Sequence, residues 1–153
     1  VVNINELTEV ILKTLRPIAR KNNVEVTLIS KREILAEVDK VKMSQIITNL
    51  VENAIKYNRE QGKVEVTLDA DHQFFTVQVE DTGIGIPAEA ISQIYERFYR
   101  VDKSHSRKIG GTGLGLAITR SAVLLHRGSI KVESRENEGT TFTVKVPLTR
   151  SLT

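Results

Sequence analysis

Asp81-Thr82-Gly83-Ile84-Gly85-Ile86-Pro87 closes an alternating run, Phe75-Thr76-Val77-Gln78-Val79-Glu80, and this junction decides how the chain is read. Side chains alternate across a strand, so Phe75, Val77, Val79 and Asp81 share one face while Thr76, Gln78 and Glu80 share the other. The carboxylate therefore points where the apolar side chains point. Burying it without a partner is very costly. One partner that fits is a neutral donor at the base of a pocket, such as the exocyclic amine of adenine. Gly83 and Gly85 would then remove side chains where a ring approaches the backbone. The same residues also fit a strand-end Asp opening an Asx turn before Gly83. The preceding run, Val64-Glu65-Val66-Thr67-Leu68, alternates as well, so the two read as a hairpin of half-buried strands.

Upstream lies Asn49-Leu50-Val51-Glu52-Asn53-Ala54-Ile55-Lys56-Tyr57. Its pattern predicts a helix from Lys40 to Tyr57 with Asp39 as N-cap. At about 100° per residue, Ile46, Ile47, Leu50, Val51, Ala54 and Ile55 occupy one half and Gln45, Asn49, Glu52, Asn53 and Lys56 the other. Asn49, Asn53 and Lys56 follow one stripe at spacings i, i+4, i+7. An amide oxygen is a hard neutral ligand suited to Mg²⁺, and a lysine is a point charge for phosphate. Taken alone, the stripe reads more readily as a solvated polar face.

Downstream, Gly110-Gly111-Thr112-Gly113-Leu114-Gly115-Leu116 leads into an apolar helical pattern from Thr112 to Arg127, with Gly128 as the expected stop. A glycine loop entering a helix offers free N–H groups and the positive end of the dipole to phosphate. The spacing is neither a P-loop nor a dinucleotide fingerprint, because Leu116 and Ala117 follow Gly115. Before it runs a basic, irregular segment with Arg97, Arg100, Lys103, His105, Arg107 and Lys108. It reads either as a lid over phosphates or as a charged surface loop.

The remaining elements are a helix from Asn5 to Asn22, strands at Val24–Ser30 and Ile34–Val38, a short helix from Pro87 to Tyr95, and closing strands at Ile130–Ser134 and Thr141–Val146. Together they predict an α+β, two-layer α/β sandwich. With 153 residues the chain is long enough for one domain with a real core and too short for two. The start is not Met, so a cut from a longer protein is expected. Neither a signal peptide nor an apolar run near membrane-spanning length is visible. The absence of cysteine excludes disulfides and fits a reducing cytoplasm. A net charge of +3 without aromatic interleaving gives no ground for nucleic acid binding.

In this order and spacing, the motifs resemble the catalytic, ATP-binding domain of bacterial sensor histidine kinases, whose fold is shared with gyrase, heat-shock chaperone and mismatch-repair ATPases. Asn49–Tyr57 resembles the N box, Asp81–Ile86 the G1 box and Glu96–Asp102 the F box. Gly111–Leu116 resembles the G2 box, and Gly139-Thr140-Thr141-Phe142 a weaker final glycine box. The wording at Tyr99-Arg100-Val101-Asp102 is similar to the subgroup of phosphate-response and cell-wall sensor kinases. The resemblance implies a mixed, mostly antiparallel sheet with helices on one face, the Bergerat-type ATP-binding fold.

It also implies that Asn53 ligates Mg²⁺ and Asp81 holds the adenine amine, with Tyr57, Ile86 and Leu114 bordering the base. Lys56 and Arg100 would face the phosphates as the catalytic pair, with Arg97 also in the ATP site. Gly111, Thr112, Gly113 and Gly115 would form the lid's hinge and phosphate contacts, with Leu116 also in the ATP site. Asn49, Gly83 and Gly85 complete the ATP site, and Thr140 reaches the base through water.

The hydrolysing relatives carry a glutamate four residues before the metal asparagine, where this chain has Asn49. A carboxamide is no general base at neutral pH, so negligible steady-state hydrolysis is expected. None of His72, His105 and His126 is followed by Glu, the pattern expected around a phosphoacceptor. The resemblance thus implies one catalytic domain over residues 1–153, binding Mg·ATP. The phosphoacceptor and dimerisation hairpin and a downstream response regulator would be its partners. The domain would be cytoplasmic and monomeric, in a parent anchored in the bacterial inner membrane. Two alternatives stay open: a protein serine kinase of the anti-sigma type, and a nucleotide-binding pseudokinase.

Overall fold

The computed structural model describes residues 1–86, 94 and 115–149. A two-stranded pair, β1 (Val2–Asn3) and β3 (Leu35–Ala36), sits beside a five-stranded sheet. That sheet contains β2 (Glu25–Ser30), β4 (Lys63–Ala70), β5 (Phe74–Asp81), β6 (Ser129–Arg135) and β7 (Gly139–Pro147) in the order β2-β4-β5-β7-β6. Among the described strands only β2 and β4 run parallel, which requires a crossover, and the chain supplies it with α2 (Lys40–Lys56). The α+β sandwich with a mostly antiparallel sheet is thus as expected. α1 (Ile4–Lys21), α2 and α3 (Gly115–Leu125) cover one face, with α2 between the other two.

The core lies between the layers. Val64, Val66, Leu68, Phe75, Val77, Val79, Val144 and Val146 come from the sheet, against Met43, Ile46, Ile47, Leu50, Val51 and Ile55 of α2. The apolar half of α2 read from the sequence is the half that is buried. Asp39 caps the helix as predicted, its side chain accepting the Lys42 N–H at 3.1 Å. That hydrogen bond holds the Asp39 carboxyl below its ordinary range.

Several details differ from the sequence reading. α1 begins one residue early because Asn3 is its cap, accepting the Glu6 N–H at 3.0 Å. Asn5 instead bridges to the strand segment, accepting from Ile34 N at 2.7 Å and donating to Arg32 O at 2.8 Å. The pairing of Val2–Asn3 with β3 is too short to carry a periodic signal. α3 ends at Leu125, and the left-handed turn belongs to Arg127 (φ 59°), not to Gly128. Gly128 follows it and returns its N–H to Val123 O at 3.0 Å.

His126, at the same end, ties two helices together. Its Nδ1 lies 2.9 Å from Ala122 O and its Nε2 accepts the Asp39 N–H at 3.1 Å. That pair of bonds requires the tautomer with the proton on Nδ1. From sequence alone, His126 reads only as a histidine tolerated near a helix C-terminus. The predicted Pro87–Tyr95 helix and basic lid lie outside the described residues, apart from Ile94, which is buried.

Candidate functional site

The sheet register builds the site. Val66, Val79, Phe142 and Val132 form one cross-strand row on the core face, and Val64, Asp81, Thr140 and Ser134 form the next. The apolar face therefore changes to one carboxylate and two hydroxyls at the end of three neighbouring strands. Asp81 Oδ1 accepts the N–H of Gly83 at 2.8 Å and that of Thr140 at 3.3 Å. The Asx turn and the inward carboxylate are both present, since the turn engages Oδ1 alone. Among the described residues nothing donates to Oδ2. Burial pushes the Asp81 carboxyl up to about 6; the two N–H bonds oppose that rise and the neighbouring Glu80 charge adds to it.

Ser134 is a site residue that the sequence reading does not single out. Its hydroxyl accepts the Ile86 N–H at 2.7 Å and lies 3.0 Å from Gly139 O and 2.8 Å from Thr140 Oγ1. A hydroxyl has one proton. With Ser134 donating to Gly139 O, Thr140 donates to Ser134 and keeps lone pairs for a water or an amine. A signal exists in the sequence: Ile130-Val132-Ser134 leaves its apolar alternation as Phe75-Val77-Val79-Asp81 does.

The two glycines of the loop after β5 have a protein-internal cause. A methyl on Gly83 would collide with the Tyr57 carbonyl, and one on Gly85 (φ 71°) with the Arg135 carbonyl. The close approach is between backbone segments, whatever a bound ring adds to it. Ile84 N donates to Tyr57 O at 3.1 Å, which joins this loop to the end of α2, and Ile86 is buried beside Ser134.

On α2, the stripe of Asn49, Asn53, Lys56 and the capping Tyr57 is half-buried rather than fully solvated. Asn49, Lys56 and Tyr57 have partners within the protein. The Asn53 carboxamide makes no hydrogen bond among the described residues. An unengaged neutral oxygen at a helix border fits a Mg²⁺ ion that also takes phosphate oxygens and waters. Among the described residues no cluster of acids or histidines offers a metal cage of its own.

A shallow hollow of about 600 Å³ opens where β5, β6 and β7 end, lined by Asp81, Thr140, Ser134 and Glu80 among others. None of its lining belongs to α2, so it does not join the two polar groups. Gly115 opens α3, and Leu116 is half-buried against the core. Arg97, Arg100, Gly111, Thr112, Gly113 and Leu114 lie outside the described residues.

Over residues 38–150 the chain matches the family described as histidine kinase-, DNA gyrase B-, and HSP90-like ATPase. The chain belongs to that family, and its relatives place it on the histidine-kinase side. The sensor protein kinase WalK of Staphylococcus epidermidis (strain RP62A) is 43% identical over 131 residues, covering 84% of this chain and 22% of that protein. The chain spans about a fifth of the length of the WalK proteins it matches. Among solved structures, the nucleotide-free catalytic domain of histidine kinase ThkA superposes with a TM-score of 0.84 at 32% identity, covering 97% of this chain and 95% of that one. ThkA in complex with the response regulator protein TrrA matches at a TM-score of 0.81 and 30% identity, covering 99% of this chain and 42% of the other. The chain is therefore a histidine-kinase catalytic domain of the ATP-binding type.

Proposed function

We propose that this chain, as a single domain, binds Mg·ATP and presents the γ-phosphate to a histidine on a separate helical hairpin of its parent kinase. The observation that carries the reading is Asp81: an inward carboxylate at the sheet end, with Oδ1 committed to two N–H groups and Oδ2, which has no donor among the described residues, placed to accept from the adenine amine. Tyr57, Ile86 and Leu114 border the base, and Thr140 contacts it through a water. Asn53 ligates the metal, which when bound contributes positive charge to the phosphate oxygens. Asn49, Lys56, Arg97 and Arg100 orient the phosphates, and Gly111 to Leu116 close over them. The hairpin imidazole attacks the γ-phosphorus, the bond to the bridging oxygen breaks and ADP leaves. Asn49 cannot take a proton from water, so transfer rather than hydrolysis is the outcome. The phosphate then passes to a response regulator. The domain faces the cytoplasm beneath a membrane-anchored parent and is monomeric by itself.

The test is a calorimetric titration with a non-hydrolysable ATP analogue, with and without Mg²⁺, followed by addition of the parent's hairpin domain and labelled ATP. Saturable, Mg²⁺-strengthened binding and label on the hairpin histidine are expected. Label on a serine of a separate partner would move the chain to the anti-sigma type. Absence of binding would remove the catalytic reading. Fast steady-state hydrolysis lost in Asn49→Ala would overturn the role given to that residue.

A further inference from the structure

Arg59 lies just beyond α2, at a position the site reading leaves unused. Its side chain is directed back at the protein: one nitrogen, Nη2, donates to Gly83 O at 3.0 Å and to Asn137 O at 2.6 Å. Those carbonyls belong to different segments. Gly83 is in the loop after Asp81, and Asn137 is at the tip of the β6–β7 hairpin, in a left-handed conformation (φ 67°). Asn137 N in turn donates to Ile84 O at 2.6 Å, and Ile84 N to Tyr57 O at 3.1 Å. The residue before it, Asn58, is buried. Its Oδ1 receives the Arg59 N–H at 2.9 Å and the Thr82 hydroxyl at 3.3 Å, and its Nδ2 donates to Lys63 O at 3.0 Å.

From this we infer that Arg59 is a positioning residue for the base pocket. Among the described residues, both hydrogen bonds of its guanidinium go to backbone carbonyls. It fixes the Gly83–Ile86 loop and the hairpin that carries Gly139 and Thr140, the two pieces of backbone between which Asp81 is held. The inference rests on the adenine reading of Asp81. A guanidinium is suited to the task because it offers several fixed donors and stays charged, and charge-assisted bonds to carbonyls are stronger than neutral ones. Its bonds go to the Gly83 and Asn137 carbonyls and not to the Asn53 carboxamide. Its loss should therefore weaken base binding and leave the metal contribution alone.

The experiment is calorimetry of the chain with ADP and with a non-hydrolysable ATP analogue, each with and without Mg²⁺, on the parent sequence, Arg59→Ala and Arg59→Lys. Loss of the clamp in Arg59→Ala is expected to raise Kd about tenfold for both nucleotides, with stoichiometry near one and the Mg²⁺ ratio unchanged. Arg59→Lys keeps the charge but loses the planar donor group and one bond of reach, so it should recover only part of that loss. Amide exchange at Asn137 should speed up in Arg59→Ala. A merely structural role would lower the stoichiometry or the melting temperature at constant Kd, and that result overturns the inference, as does an unchanged Kd. If the parent sequence itself binds neither nucleotide, the adenine reading fails first, and the amide exchange alone decides whether Arg59 holds the hairpin.

Discussion

The proposed base end and the proposed metal end of the site are built differently. At the base end Asp81 Oδ1, Ser134, Gly83, Ile84 and Ile86 are bonded to one another or to backbone of neighbouring segments. At the metal end Asn53 stands half-buried on α2 with no hydrogen bond to its carboxamide among the described residues. A pocket held by its own protein bonds incurs little ordering cost when a rigid ring enters it. A lone carboxamide gains its partner only when metal and phosphate arrive together. The difference implies two separable contributions: a preformed one for the base, present with or without Mg²⁺, and an assembled one for the phosphates, present only with it.

The sharpest way to break that division is Asp81→Asn. An asparagine oxygen can still accept from Gly83 and Thr140, so the turn survives. Its amide nitrogen would then face the adenine amine, donor against donor. Affinity for ADP and for the ATP analogue should fall a hundredfold or more, about 3 kcal/mol, with or without metal. Acid should mimic the substitution. As pH drops below about 6, Asp81 gains a proton on the free oxygen and loses its acceptor, so nucleotide binding weakens. Stability moves the opposite way. Folding raises this carboxyl from 3.8 to about 6, so through that window the folded chain holds a proton that the unfolded chain has released. Asp81 thus weakens the fold fully above about pH 6, and the penalty is relieved as pH falls toward 3.8. At about pH 8 the Asn variant should be more stable than the parent by about 1 kcal/mol, after allowing for the water that still reaches a half-buried group. A variant that binds normally would contradict the base-end assignment; one that melts earlier would contradict the burial cost assigned to the Asp81 carboxylate.

Asn53→Ala should have the next largest effect and a different signature. Without Mg²⁺ its affinity should equal that of the parent; with Mg²⁺ the gain should disappear, a loss of about tenfold. Equal losses in both conditions would mean that Asn53 serves the base, and the two ends would no longer be separate.

The same division governs what can be read from sequence. α2 is legible in full, face by face, because seven buried apolar side chains at helical spacing and a capping Asp39 all agree. Asp81 is legible because a charge interrupting strand alternation is conspicuous. What stays hidden depends on register between distant strands. Ser134 becomes part of the site only because it pairs with Thr140 across a hairpin. Gly83 and Gly85 read from sequence as room for a ligand, and only the folded chain shows the Tyr57 and Arg135 carbonyls against them. Arg127 takes the left-handed position after α3, where the neighbouring Gly128 is the more obvious candidate on propensity alone.

The smallest effect on binding is expected far from both ends. His126 joins the C-terminus of α3 to the first residue before α2, on the side of the helix layer away from Asn53 and Tyr57 along α2. His126→Ala removes two hydrogen bonds and leaves the Asp39 N–H to find water, which should cost about 1–2 kcal/mol of unfolding free energy in urea. Asp39 keeps its own capping bond to Lys42, so α2 should not fray. Because the base end is held by its own bonds and Asn53 sits at the other end of α2 from Asp39, nucleotide Kd should change by less than about twofold, a shift below about 0.4 kcal/mol. A roughly tenfold weakening restricted to Mg²⁺-containing titrations would instead show that the spacing of α2 and α3 is transmitted to Asn53. In that case the metal end would depend on the whole helix layer, while the base end would depend on the sheet.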